Sequence, residues 1–360
     1  MIFVEGYALT CALGANAKSS VEALKSELKE PRVVKDGNRY YFFKEASTTD
    51  YYQQIETIAK EAIDNANLNE DEIKSLGLFI GTSSPKLPLY EAYYKKESQK
   101  EASLYVSEVT QKLANTLNIK GFRTLISTAC TSSANALVQA KEMIDSGLIE
   151  KALVVGVEFY NELTIKGFES FLLLSKDKIA PFDKNRDGVI LGEGISAVVL
   201  GKKNSSFRVA SGVIQVDTNA ITSPTTTSLE KIMRASIKEA KIQPNNIQMV
   251  KAHATATLHN DEVEAQALNQ LFTDNTAITS FKPYLGHTMG ACGTNELVLL
   301  MEALKNGFMP KTLNFFQKIP KAPLTPLLYE KKAKNGYYLL NNFGFGGNNC
   351  CLILEFQGKC

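Results

Sequence analysis

The chain has no tryptophan, three histidines and six cysteines, and no two of its cysteines form a C-x-x-C pair. Cys11, Cys130, Cys292, Cys350, Cys351 and Cys360 are irregularly spaced. That spacing argues against a zinc ribbon or a disulfide scaffold and fits a reducing cytosol, so we expect a cytoplasmic protein with neither metal nor cofactor. No apolar run approaches the ~18 residues needed to cross a bilayer. The opening MIFVEGYAL lacks a basic leader and a long apolar stretch, and reads as a strand rather than a signal peptide. Basic excess is missing too. With 40 Lys and Arg against 38 Asp and Glu, the net charge of +2 gives no footprint for nucleic acid. A local basic patch facing an acidic partner is compatible with that balance. What remains is a 360-residue chain, 44% hydrophobic and 22% charged. This is globular composition with enough length for two sub-domains or one large α/β unit.

Strand-like and helix-like segments alternate, the pattern of an α/β protein. Short apolar runs predict strands at Leu76–Ile80, Ala152–Val157, Ile195–Leu200 and Cys351–Phe356. A 3.6-residue period predicts helices at Gln53–Ala66, Ala134–Ser146, Leu229–Ala240 and Asn295–Lys305. The polar KKNSSF at 202–207 divides the chain into an N-terminal half, 1–201, and a C-terminal half, 208–360. The halves echo each other. ETIAKEAIDNANLNEDEIKSLGLFIGTSS is matched by EKIMRASIKEAKIQPNNIQMVKAHATAT, each a helix, a polar link, a strand and a small-residue turn. TLISTACTSSANALVQAKEMIDSG is matched in the same order by TAITSFKPYLGHTMGACGTNELVLLMEALKNG. Duplication is the better reading, and a junctional site would draw on both halves. Residues 83–117 are polar and aromatic, and read as a surface excursion or a subunit contact.

Chemistry concentrates around STACTSSANAL, residues 127–137. Most buried cysteines are inert. Cys130, however, falls between a strand-like and a helix-like run, where unpaired helix N–H groups and the dipole would favour a thiolate and could hold an oxyanion. His253 ends the strand-like run IQMVKAH, a usual place for functional residues in α/β folds. His287 lies in YLGHTMGACG, at the position echoing Cys130. His259 reads as an ordinary surface residue in a turn. Lys282 sits among Phe281, Pro283 and Tyr284. A lysine buried there needs a partner, and Glu296 is the candidate. Asp261 and Glu264 are placed to cap or brace the loop after His253. NNFGFGGNN, residues 341–349, carries no phosphate-loop signature and reads as an apolar lid on a tight turn.

The motifs STACTSSANAL, PFDKNRDGVILGEG, KAHATATLHNDEVEAQA, FKPYLGHTMGACG and NNFGFGGNN together resemble the elongating β-ketoacyl–acyl carrier protein synthases. The likeness runs from about residue 121 to the C-terminus, with a looser match at the opening. It implies the thiolase fold, two duplicated α/β halves in a layered αβαβα arrangement. It also implies that Cys130 takes an acyl chain from the carrier's phosphopantetheine as a thioester. His253 and His287 would bind the malonyl thioester and promote its decarboxylation, and the resulting enolate would attack the acyl group. Further roles implied are the N–H groups of Cys130 and Phe345 as oxyanion hole, and Lys282 with Glu296 as the buried pair behind His287. Thr255 and Thr257 would meet the pantetheine arm, and Phe345 would gate the acyl pocket. The implied partners are acyl- and malonyl-carrier protein and a second subunit, identical or a related ketosynthase-like one. An acidic carrier calls for a basic patch near the pocket mouth.

The sequence departs from the family pattern in a shortened stretch near 80–120. It also departs at Val189, Ala254 and Asn348, where Phe, Gly and Thr are usual. Alternative activities are a non-elongating, chain-length-factor-like subunit and a malonyl-carrier decarboxylase. Cys292 could be a second, thiolase-type cysteine, but its G-A-C-G context reads as a packing position.

Overall fold

The computed structural model describes residues 1–26, 30–43, 51–97, 105–218, 224–273 and 275–358. Ten strands form one mixed sheet. Their order is Ala277–Thr279, Ile247–Lys251, Gly336–Phe343, Asn348–Phe356, Phe207–Val216, Ile2–Cys11, Gly194–Gly201, Ala152–Glu158, Gly77–Gly81 and Arg123–Ile126. The order is symmetric about its centre. Outward from Ile2–Cys11 the pairings run antiparallel, antiparallel, parallel, parallel. Outward from Phe207–Val216 they run the same way. The two half-sheets join where Ile2 pairs with Val209 and Phe3 with Arg208.

Period-two burial on these strands feeds separate cores. Leu153, Val155 and Val157 pack with Ile55, Ile58 and Ala62 of the helix Tyr51–Ala66, on the outer face of the first half. Val154, between them, joins the middle core with Leu137, Val138 and Leu300. Likewise Cys351 and Ile353 face the helix Thr226–Glu239, while Leu352 and Leu354 face the middle. Fully burying each of these Leu, Val and Ile side chains stabilises the fold by about 1.5–3 kcal/mol. The middle layer holds two helices, Ser132–Asp145 and Cys292–Lys305, which pack on each other and on both half-sheets. The second of these is buried from Cys292 to Leu304, so it has no polar face to show. The result is the thiolase-type succession of helix, sheet, helix, sheet and helix.

Two glycines set how closely the middle layer packs. A Cβ on Gly293 would sit 2.5 Å from the Ala134 nitrogen, so the helices cross backbone to backbone there. A Cβ on Gly81 would sit 2.3 Å from the Ser133 Cα, so the start of Ser132–Asp145 lies directly on the strand Gly77–Gly81. Within the segment 83–117, Leu87–Tyr94 is a helix; residues 98–104 lie outside the described residues. The Glu91 carboxylate of this helix accepts the N–H groups of Glu162 and Leu163 at 2.9 and 2.8 Å, seating it on the helix Glu162–Ser170.

Candidate active site

The strand Arg123–Ile126 delivers the chain to a turn in which Ala129 takes φ 52°, a left-handed conformation rare for a residue with a side chain. Hydroxyl groups hold that turn. Ser132 Oγ donates to the Ala129 carbonyl at 2.6 Å and accepts the Thr128 N–H at 2.9 Å, while Thr131 Oγ1 donates to the Thr128 carbonyl at 2.7 Å. Asn135 Nδ2 reaches Thr128 Oγ1 and Asn348 Oδ1, both at 2.9 Å, linking the turn to the Gly-Phe loop of the second half. Cys130 sits at the turn's end, 5% exposed.

Three elements of the second half converge on it. His287 Nε2 lies 3.0 Å from Cys130 Sγ. His253 follows the strand Ile247–Lys251, and its ring stands nearly perpendicular to that of His287, with centroids 5.4 Å apart. The Phe345 N–H, from the Gly-Phe loop, and the Cys130 N–H both act on the sulfur. Cys292 Sγ donates to the Cys130 carbonyl at 3.0 Å and is buried behind the cavity lining rather than part of it.

Burial dominates the electrostatics. It pushes the Cys130 thiol up to about 12, against the pull of Lys282 and the two N–H groups. The helix-start argument had favoured a thiolate. Burial works against that thiolate and favours the thiol. Both imidazoles are held well below their ordinary value by burial and then by the Lys282 cation, which keeps them neutral. Lys282 Nζ is 3.5 Å from His253 Nδ1, which directs His253 Nε2 toward the cavity as the N–H donor. His287 Nδ1 is buried without a hydrogen-bond partner among the described residues.

Behind the histidines, Lys282 Nζ meets Glu296 Oε1 at 3.0 Å. Glu264 accepts the His253 and Ala254 N–H groups at 2.8 and 2.7 Å, and Asp261 accepts those of Ala256 and Phe182 at 3.0 and 2.8 Å. The braced loop needs holding, because Ala254 and Ala256 take φ 41° and 62°. Thr255 and Thr257 bring their hydroxyls within 2.9 Å of each other. Both line a cavity of about 310 Å³ with Cys130, His253, His287, Val189, Phe343 and Phe345. Phe345 stacks on Phe168, centroids 5.7 Å apart, and meets the edge of Phe171. His259 also lines the mouth. It is exposed, but it lies in the first turn of the helix Leu258–Leu271 rather than in a turn, with Nε2 3.2 Å from the Pro224 carbonyl. Among the described residues, no group of three or more His, Cys, Asp or Glu is placed to hold a metal.

Lys251 went unread in the sequence, although it lies two residues before His253. It is fully buried, with Nζ 2.6 Å from Glu296 Oε2 and 3.3 Å from Asn342 Oδ1, and it also donates to the Asn341 carbonyl. The signal was a lysine interrupting the apolar side of IQMVKAH. Glu158 was missed too; it is buried and accepts the N–H groups of Ser83 and Gly290 at 3.0 and 2.9 Å.

Residues 3–206 match the beta-ketoacyl synthase N-terminal domain, and residues 208–316 match the beta-ketoacyl synthase C-terminal domain. The chain belongs to the beta-ketoacyl synthase family. A 3-oxoacyl-[acyl-carrier-protein] synthase 2 of Vibrio cholerae is 28% identical over 355 residues, covering 89% of this chain and 86% of that one. The highly reducing polyketide synthase gloL of Glarea lozoyensis is 26% identical, and there the chain spans only 13% of the relative's length. Among solved structures, a beta-ketoacyl synthase from Burkholderia phymatum superposes with a TM-score of 0.89 at 24% identity, covering 99% of both chains. A ketosynthase from Xenorhabdus doucetiae, solved in complex with its chain length factor, gives 0.89 at 23%, covering 99% of this chain and 98% of that one. At that identity these structures establish the fold. No described helix of this family member is long and apolar enough to cross a membrane.

Proposed function

We propose that this chain is a condensing β-ketoacyl–acyl carrier protein synthase with Cys130 as nucleophile. The observation that carries the reading is the 3.0 Å contact between His287 Nε2 and Cys130 Sγ in a buried cavity lined by His253. The Cys130 proton passes to His287 as sulfur attacks an acyl-carrier thioester, and the oxyanion rests on the Cys130 and Phe345 N–H groups. Collapse expels the carrier thiol, which takes the proton back. His253, neutral with its Nε2–H toward the cavity, then donates to the malonyl thioester carbonyl, and His287 adds a second donor once its proton has exchanged from Nδ1 to Nε2 through solvent. Loss of CO₂ leaves an enolate whose carbon attacks the Cys130 thioester, releasing β-ketoacyl carrier and a Cys130 thiolate, which takes a proton from water to return to the thiol. Lys282 fixes the His253 tautomer, Glu296 holds Lys282, and Glu264 and Asp261 hold the loop. Thr255 and Thr257 meet the pantetheine arm, and Phe345 gates the acyl pocket.

Fatty-acid or polyketide-type elongation in the cytoplasm fits this chemistry, with acidic acyl and malonyl carriers as partners and a second ketosynthase-like subunit completing a dimer. The halves 1–201 and 208–360 act as paired units about the junction. Intact mass spectrometry with acyl-carrier thioesters tests the reading. An acyl adduct is expected on the wild type and none on Cys130→Ala. Malonyl decarboxylation by a wild type that never acylates would replace the condensing role with a decarboxylase.

A further inference from the structure

Lys251 and Lys282 share one carboxylate, each taking one oxygen of Glu296, and all three residues are at most 1% exposed. A single Lys–Glu pair would already satisfy Glu296, so the second ammonium calls for its own account. Its other contacts supply one. Lys251 donates to the Asn341 carbonyl, and Asn341 Nδ2 donates to Glu264 Oε1 at 3.1 Å. Glu264 in turn holds the N–H groups of His253 and Ala254. A closed circuit therefore runs from the His253 backbone through Glu264, Asn341, Lys251, Glu296 and Lys282 back to His253 Nδ1.

We propose that Lys251 is a positioning residue for the condensing reaction, its buried ammonium balancing Glu264 and Glu296 so that the field at His253 and His287 does not turn negative. This rests on the condensing reading above. Lys282 and Lys251 act on both rings, Cys130 meets His287 and Glu264 holds the His253 N–H, while Glu296 and Cys292 face the two lysines, Asp261 faces Glu264 and Glu158 faces Cys130. With both carboxylates ionised and both lysines charged, the cluster is neutral. Without Lys251 it becomes net negative where an enolate must form. A buried charge of the wrong sign is costly there, because little water screens it. Lys251 also helps hold both imidazoles low, alongside burial and Lys282.

The test follows CO₂ release from malonyl-carrier thioester between pH 5 and 9 in the wild type, Lys251→Met, Lys251→Gln and Lys251→Arg, with thermal melts to verify folding. In both neutral variants kcat is expected to fall about tenfold with KM little changed, and the acid limb to move up by about one pH unit, because the imidazoles lose a neighbouring cation. Lys251→Arg, which keeps the charge, is expected to hold the limb in place. A folded neutral variant with wild-type kcat, or with lower kcat and an unmoved limb, overturns the proposal. So does failure of both neutral variants to fold while Lys251→Arg folds, which would mark a purely structural role. A wild type indifferent to His253→Ala and His287→Ala overturns the condensing reading instead.

Discussion

His287 Nε2 and Cys130 Sγ lie 3.0 Å apart although 157 residues separate them in sequence. Each is delivered by an equivalent loop of an opposite half, just ahead of one of the two middle-layer helices. The contact sets how the sulfur is activated. In the proposed reaction His287 takes the Cys130 proton, because burial pushes the thiol up to about 12 and so works against a standing thiolate. Iodoacetamide labelling of Cys130, followed by intact mass, should rise steadily from pH 6 to 9. His287→Ala should slow labelling at neutral pH. A plateau reached below pH 8 would show a pre-formed thiolate and refute this activation scheme.

The histidines also tie stability to pH. Their folded values lie below the ordinary 6.5, so below that pH the unfolded chain binds more protons than the folded one. Stability therefore rises with pH through this window and is lost as pH falls from about 6.5 toward the folded values. The melting temperature should drop between pH 7 and 5.5, and drop less in His287→Asn, which removes one of the two buried rings. An equal slope in that variant would assign the effect to other groups.

Much of this was legible in the sequence because the signals were periodic. The apolar runs predicted at Ala152–Val157 and Ile195–Leu200 are the strands Ala152–Glu158 and Gly194–Gly201. The paired echoes of helix, link and strand correspond to segments at equivalent places in the two half-sheets. With so few histidines to weigh, His253 was found at a strand end and His287 in the loop that echoes the one carrying Cys130. What stayed hidden depends on three-dimensional charge. Lys251 looks like an exposed lysine until the Gly336–Phe343 strand and the Cys292–Lys305 helix close over it. The helix start that favours a Cys130 thiolate is visible in sequence, while the depth of burial that works against it is not.

Gly81 should tolerate no side chain. The nearest neighbours of an added Cβ are backbone atoms of Ser132 and Ser133, at the start of the helix that follows Cys130. Backbone cannot rotate aside as a side chain can. Gly81→Ala should cost about 1–3 kcal/mol in urea unfolding and slow acylation of Cys130 as the helix is displaced. Wild-type stability would mean the strand and helix can separate freely.

Glu264 matches its donors to two carboxylate oxygens: the N–H groups of His253 and Ala254 and Asn341 Nδ2. Glu264→Gln replaces one acceptor by a donor of nearly the same shape, leaving a buried N–H facing an NH₂ group. Each buried donor left unsatisfied costs about 1–3 kcal/mol. The loop at Ala254 and Ala256, already in left-handed backbone, should loosen. The expected result is a lower unfolding midpoint and a kcat reduced more than KM is raised. An unchanged midpoint would place the strength of the loop elsewhere, at Asp261.

Val189 bears on substrate length. It is 1% exposed, lines the cavity with Phe345, and is fixed by backbone hydrogen bonds to Leu173 and Ser175 at 2.8 and 2.9 Å. The backbone at this position cannot move without breaking those bonds, so a larger side chain must project into the cavity. Val189→Phe would add a ring close to the Phe168 and Phe345 stack and remove space near Cys130. Because the ring is apolar, short chains should still find a dry wall and lose little, while long chains lose the volume their distal carbons occupy. In a competition between short and long acyl-carrier thioesters, read as mass shifts on Cys130, the variant should favour the short acyl group by about tenfold relative to wild type, the value of one to two methylenes' worth of burial. Equal adduct ratios in the two proteins would show that the acyl chain leaves Cys130 by another wall.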